Sequence, residues 1–307
     1  VTTTALAALA IILAGLVARR TGVLKAEDGA VLVRIVLYLA MPPLVFLIVA
    51  RADLRAELLL VPVAAFLTHG VLLVAGLGIT RLWGMDRPTR GAFLVCTAVG
   101  NTGFFGLPLI AASGPGFSQP AAVMYDALAT AVITWTSTVA IATAFGAAGD
   151  GRPRVDVRGL LWGFTLPPTW ALAAGLVWNL AGLGADLPTA VERPLEVLAA
   201  AVLPLVMLYA GLMVDVSGVR AAWTPVLAVA VVRLGLGPVA GLGSGLLLGL
   251  SGEVLRTVVI MAAMPTAMMS LVLGARYGLR ADVLAGAVVV TSVLCTATLP
   301  LVRAVMP

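Results

Sequence analysis

A chain of 307 residues that is 61% hydrophobic and only 11% charged, with a mean hydropathy of +1.11, is no soluble globular domain. Apolar runs recur along its whole length with short polar joints between them, so it reads as one integral membrane domain. The formal net charge of +5 sits in those joints, which assigns it to membrane orientation and excludes nucleic acid as a partner.

Roughly 20 residues in a helix cross a ~30 Å hydrocarbon core. On that basis about ten spans are expected, near 2–18, 30–50, 58–80, 91–112, 119–145, 159–182, 194–214, 223–249, 254–275 and 282–305. Thr2 to Ala18 reads as a true span behind a trimmed N-terminus, because no basic stretch precedes it and no clear cleavage site follows. The longest polar joint, Gly146 to Arg158, carries Asp150, Arg152, Arg154, Asp156 and Arg158 and divides the chain into a first half, 1–150, and a second, 151–307. Cys96 and Cys295 both lie inside apolar runs, so neither a disulfide framework nor a metal cluster is indicated.

The halves echo each other in order at a shift of about 160 residues. Gly15-Leu16-Val17 with Gly22 returns as Gly175-Leu176-Val177 with Gly182, and Pro43-Leu44-Val45 returns as Pro204-Leu205-Val206. Ala75-Gly76-Leu77-Gly78 returns as Ala240-Gly241-Leu242-Gly243, after which Gly100-Asn101-Thr102 falls opposite Met264-Pro265-Thr266. Five spans per half is an odd number, so the second half enters the membrane from the opposite side and the repeat is inverted, a recurring plan of secondary transporters. Basic residues concentrate in the odd-numbered joints (Arg19, Arg20, Lys25, Arg81, Arg87, Arg90, Arg152, Arg154, Arg158, Arg220, Arg276, Arg280). Even joints and the C-terminus hold only Arg51, Arg55, Arg193, Arg256 and Arg303. Odd joints are therefore expected in the cytoplasm of a cell-membrane protein with both termini outside.

The fourth span is the most informative. Gly100-Asn101-Thr102-Gly103-Phe104-Phe105-Gly106-Leu107-Pro108 puts an amide, a hydroxyl, three glycines and a proline where a plain span carries Leu and Val. Pro108 clashes with the carbonyl of Phe104 and predicts a helix broken there, and Pro265 in the ninth span predicts the same at the carbonyl of Met261. Broken backbone at membrane depth is tolerated where it packs in protein or lines a wet cavity. Half-helix N-termini attract an anion and freed carbonyls suit a cation, so a crossing of two such breaks is a candidate substrate site. Its residues would be Asn101, Thr102, Gly103, Pro108, Pro265 and Thr266, with Asn101 offering a neutral donor and acceptor to a carboxylate.

Ionisable residues inside spans are costly and default to a functional reading. Arg233 in the eighth span could meet an anionic substrate, and Asp126 in the fifth could take a coupling proton or pair with Arg233. Arg34 lies close enough to its span end to snorkel, His69 reads as a packing residue, and Asp215 as a helix-end residue. No zinc spacing, phosphate loop or nucleophile elbow is present, so neither an enzyme nor a cofactor is expected; a coupling ion, proton or sodium, is. A membrane-embedded lipid enzyme would need clustered acids, and a non-transporting sensor would bind its ligand without moving it.

The runs GNTGFFGLPL (Gly100 to Leu109), MPTAMMSLVLGARYG (Met264 to Gly278) and TSVLCTATLP (Thr291 to Pro300) resemble the auxin efflux carrier family along essentially the whole chain. That resemblance implies secondary transport by two inverted five-helix repeats whose fourth and ninth helices cross at Pro108 and Pro265, with Asn101 at the asparagine position. It also implies a fold similar to bile-acid sodium symporters, a scaffold with a mobile, elevator-type transport part, and a homodimer as in plant members. The short central joint departs from the long cytoplasmic loop of the plant carriers, which puts regulation through such a loop in doubt. Bacterial members are associated with small organic acids such as malate or malonate, so the expected partner is a small organic anion in the lipid bilayer, with sodium symport as the alternative.

Overall fold

A computed structural model describes residues 2–147, 152–155, 157–158, 161, 165–183, 187–213 and 222–306. Asp215, Arg220, parts of the central joint and the start of the sixth expected span lie outside them. The described elements are helical: α1 (Thr2–Arg20), α2 (Gly29–Ala50), α3 (Ala56–Leu82), α4 (Arg87–Ala98), α5 (Thr102–Ala112), α6 (Gln119–Phe145), α7 (Pro167–Leu180), α8 (Thr189–Leu212), α9 (Trp223–Leu247), α10 (Gly252–Ala262), α11 (Met269–Tyr277) and α12 (Ala281–Ala304). Among them α2, α3, α6, α8, α9 and α12 are each long and apolar enough to cross a membrane. The chain is thus an all-helical, multi-pass membrane protein. Two pairs of shorter helices, α4 with α5 and α10 with α11, are each separated by a non-helical gap.

The prolines act differently from the expectation. Pro42, Pro108 and Pro238 each stand two residues after a widened π-turn, at Val36–Ala40, Thr102–Gly106 and Val232–Leu236. A π-turn hands a carbonyl to the residue five ahead, so the donor that proline lacks is not missed and the helix continues. The break expected at Pro108 therefore lies earlier, at Val99 to Asn101, where Val99 turns extended (φ −115°, ψ 123°) and Asn101 takes φ −82°, ψ 65°. In the second break Pro265 does fall inside the gap, yet the carbonyl of Met261 is not freed, because it accepts the Met264 N–H at 3.3 Å in a closing turn.

Helix packing relies on close backbone approach, the usual device where lipid removes the hydrophobic drive between helices. Gly15 of α1 lies against the Leu208 carbonyl and Gly211 of α8, and Gly175 of α7 lies 3.0 Å, at its absent Cβ, from the Phe46 carbonyl of α2. Gly15 and Gly175 are the two echoing glycines, and they make the same kind of contact with the second long helix of the opposite half. Asn179 adds a clamp that sequence reasoning missed: its Nδ2 donates to the carbonyls of Val49, Ala50 and Ala52, at 3.1, 3.1 and 2.7 Å, capping the end of α2. At the start of α4, outside the apolar region, Asp86 accepts from the Thr89 N–H, and the bond to Thr89 holds its carboxyl below the usual range.

Candidate functional site at the helix crossing

The two breaks meet. Gly100 and Thr266 form an antiparallel bridge, with the Asn101 N–H donating to the Pro265 carbonyl at 2.7 Å and the Ala267 N–H to the Val99 carbonyl at 3.0 Å. A helix ending inside a protein must find donors for its last carbonyls. Here several are supplied by other elements. Cys96 accepts from the Thr266 hydroxyl at 2.9 Å, Thr97 from Arg233 Nη1 at 3.4 Å, and Ala98 pairs with His69 Nδ1 at 3.1 Å. On the other strand Met264 accepts from Arg233 Nε at 2.9 Å, and the Cys295 thiol lies 3.6 Å from the Ala263 carbonyl. His69 Nε2 lies 2.8 Å from Ser137 Oγ, so the histidine is a satisfied packing residue between α3 and α6.

Beside this junction is a cavity of about 260 Å³ lined by Gly100, Asn101, Thr102, Gly103 and Phe104 from the first break, Ala267, Met268 and Met269 from the second, and Asp126 with its neighbours on α6. Leu37, Met41, Val45, Trp135 and Leu172 supply apolar wall. Helices α5 and α11 begin here, so both turn their partially positive ends to the cavity. Asn101 is 4% exposed, and its Nδ2 has no hydrogen-bond partner. A buried amide donor left unmade costs about 1–3 kcal/mol, which a ligand acceptor in the cavity would recover. Asp126 stands at a π-turn on the wall, its Oδ1 accepting from the Thr102 hydroxyl at 2.6 Å.

The sequence-predicted residues thus divide. Asn101, Thr102, Gly103 and Asp126 line the cavity together. Pro265 and Thr266 build the junction; Thr266 is fully buried, its N–H held by Thr291 Oγ1 at 3.0 Å. Pro108 lines a different and larger cavity, of about 1190 Å³, among the ends of α2, α3, α8 and α10. Leu44 and Pro108 face that vestibule while the adjoining Val45 and Leu107 face the smaller cavity. Asp126 and Arg233 do not pair, since the carboxylate is taken by Thr102 and the guanidinium by the Thr97 and Met264 carbonyls. Thr291 and Ser137 are not singled out in the sequence, where their signal is a small polar side chain within an apolar run, and Cys295 reads there only as a small core residue.

A family model described as membrane transport protein matches residues 1–148 and 158–303. The chain belongs to the auxin efflux carrier family of membrane transport proteins. An uncharacterized transporter of the archaeon Methanothermobacter thermautotrophicus is 29% identical over 98% of this chain and 96% of its own length. Another, from Methanocaldococcus jannaschii, is 25% identical over 92% of each chain. A probable auxin efflux carrier component of rice is 33% identical over 127 residues, 40% of this chain and 35% of its own. As a family member the chain is a membrane-embedded transporter, and among its described residues the crossing and its cavity bring together Asn101, Thr102 and Asp126.

Proposed function

We propose that this family member is a secondary active transporter of a small organic anion, a carboxylate or dicarboxylate, working by alternating access around the crossing. One observation carries the reading: Asn101, whose buried amide nitrogen has no partner, is part of the lining of a cavity at which two helix N-termini begin. Support for an inverted repeat comes from Gly15 and Gly175, echoing residues that make matching helix contacts, and from the antiparallel pairing of the two breaks. Under the charge-derived orientation, the larger vestibule lies on the outer side and the smaller cavity opens towards the cytoplasm, with both termini outside. Asp126 is the coupling group of this scheme. A carboxylate without a counter-cation repels an anion beside it, so the anion enters with a proton on Asp126.

The test is thermal stability of the purified protein against a panel of dicarboxylates and aromatic acids at two pH values, since a ligand that binds the folded state raises Tm by mass action. A shift with one class of acid, abolished in Asn101→Ala, is expected. An Asn101→Ala variant that binds with unchanged affinity removes Asn101 from the site.

A further inference from the structure

Among the described residues Arg233 is the one buried strongly basic side chain at the crossing, and it does not line the smaller cavity. It sits in the π-turn of α9, is 2% exposed, and among the described residues no carboxylate lies within ion-pair distance. A buried guanidinium needs compensation. Its surroundings offer two sources, the carbonyl of Thr97, next to last in α4, and that of Met264, two residues past the end of α10, so the guanidinium stands where the C-terminal ends of two half-helices come together. Each helix C-terminus carries about half a negative charge, so the pair balances roughly one cation. The fit is also steric, because a Cβ at Gly100 would run into the guanidinium Nη2, so that the side chain fills the space up to the backbone. Tyr125, Thr68, His69 and Thr102 close the remaining gap, a space of about 20 Å³.

We infer that Arg233 is a tethered cation standing where a dissociable one would bind, so that the crossing is closed by the protein's own charge and needs no sodium. This rests on reading the crossing as the transport site. A hard cation takes several oxygen ligands. Six carbonyls at the crossing already have partners: Cys96 with Thr266, Ala98 with His69, Pro265 and Val99 with the Asn101 and Ala267 amides, and Thr97 and Met264 with Arg233 itself. Arg233 touches no substrate in this scheme; it is a positioning residue that ties the last turn of α4 to the segment just past the end of α10. Removing it would leave two carbonyls and a guanidinium-sized void, which is a cation site by construction.

The experiment measures Tm of purified native protein in sodium, potassium and choline chlorides at constant ionic strength, and of Arg233→Ala with and without low-millimolar guanidinium chloride. The native Tm is expected to be equal in the three salts to within about 1 °C, and the variant to melt lower and regain stability saturably with guanidinium but not with urea. A saturable rise of the native Tm with sodium overturns the inference, as does an Arg233→Ala variant that melts like the native protein or ignores guanidinium. Should Arg233→Ala not fold, Arg233→Lys decides. Folded protein of lowered Tm that ignores sodium supports the tethered charge, as does failure of both variants to fold while the native protein ignores sodium. A lysine variant as stable as native, or stabilised by sodium, overturns it. Failure of the anion reading would show separately, as an acid panel without effect on the native Tm.

Discussion

The two breaks solve one backbone problem and put the result to different uses. At the first, Gly100 and Asn101 interrupt the helix, and Asn101, its amide nitrogen unpartnered, joins the lining of the cavity. At the second, Pro265 interrupts it, and the neighbouring Thr266 turns inward to bind the Cys96 carbonyl and the Thr291 hydroxyl. One break contacts; the other supports. Similar motifs in sequence therefore do not announce similar roles, because what decides is whether the polar group beside the gap finds a partner within the protein.

Four substitutions would break or sharpen that contrast. Gly100→Ala should have the largest effect, since the new methyl displaces Arg233. Overpacking costs about 1–3 kcal/mol, each carbonyl that loses its donor costs about 1–3 more, and transport should vanish with a large fall in Tm. Thr266→Val removes the donor to Cys96 and should destabilise by about 1–3 kcal/mol, read by denaturant or thermal unfolding, while the affinity of the folded protein for its acid stays unchanged. Asn101→Ala should show the reverse pattern, with stability within about 1 kcal/mol of native, because no bond of its Nδ2 is lost, and binding abolished. If Thr266→Val weakens binding as much as Asn101→Ala does, the division between contact and support is wrong. Smallest in stability is Asp126→Asn, which keeps an acceptor for Thr102. Uptake of a dicarboxylate into proteoliposomes should lose its dependence on a pH gradient, and a variant that still follows the gradient takes Asp126 out of coupling.

Much of this was legible in the chain. Membrane class, family, the presence of two interrupted spans and the polar cluster around Asn101 all follow from composition and from two runs in which glycine, proline and amide replace aliphatic residues. The point of breakage was not. A proline's missing donor can be absorbed by a widened turn just before it, as at Pro108, and nothing local distinguishes that from a break. Arg233 was recognisable as important but not in role, since its partners are backbone carbonyls, one in α4 and one just past α10, which carry no sequence signature. The clamp of Asn179 was hidden for the same reason.

Leu44 and Pro108 line the vestibule while their chain neighbours Val45 and Leu107 line the smaller cavity, so the same two short segments form a septum between the spaces. Such a septum makes the permeability barrier a local property of a few aliphatic groups rather than of the whole protein. Trimming it, as in Leu107→Gly, would join the two spaces and turn a carrier that moves its cargo in countable steps into a leak, visible as steady ionic current in a planar bilayer where the native protein passes none.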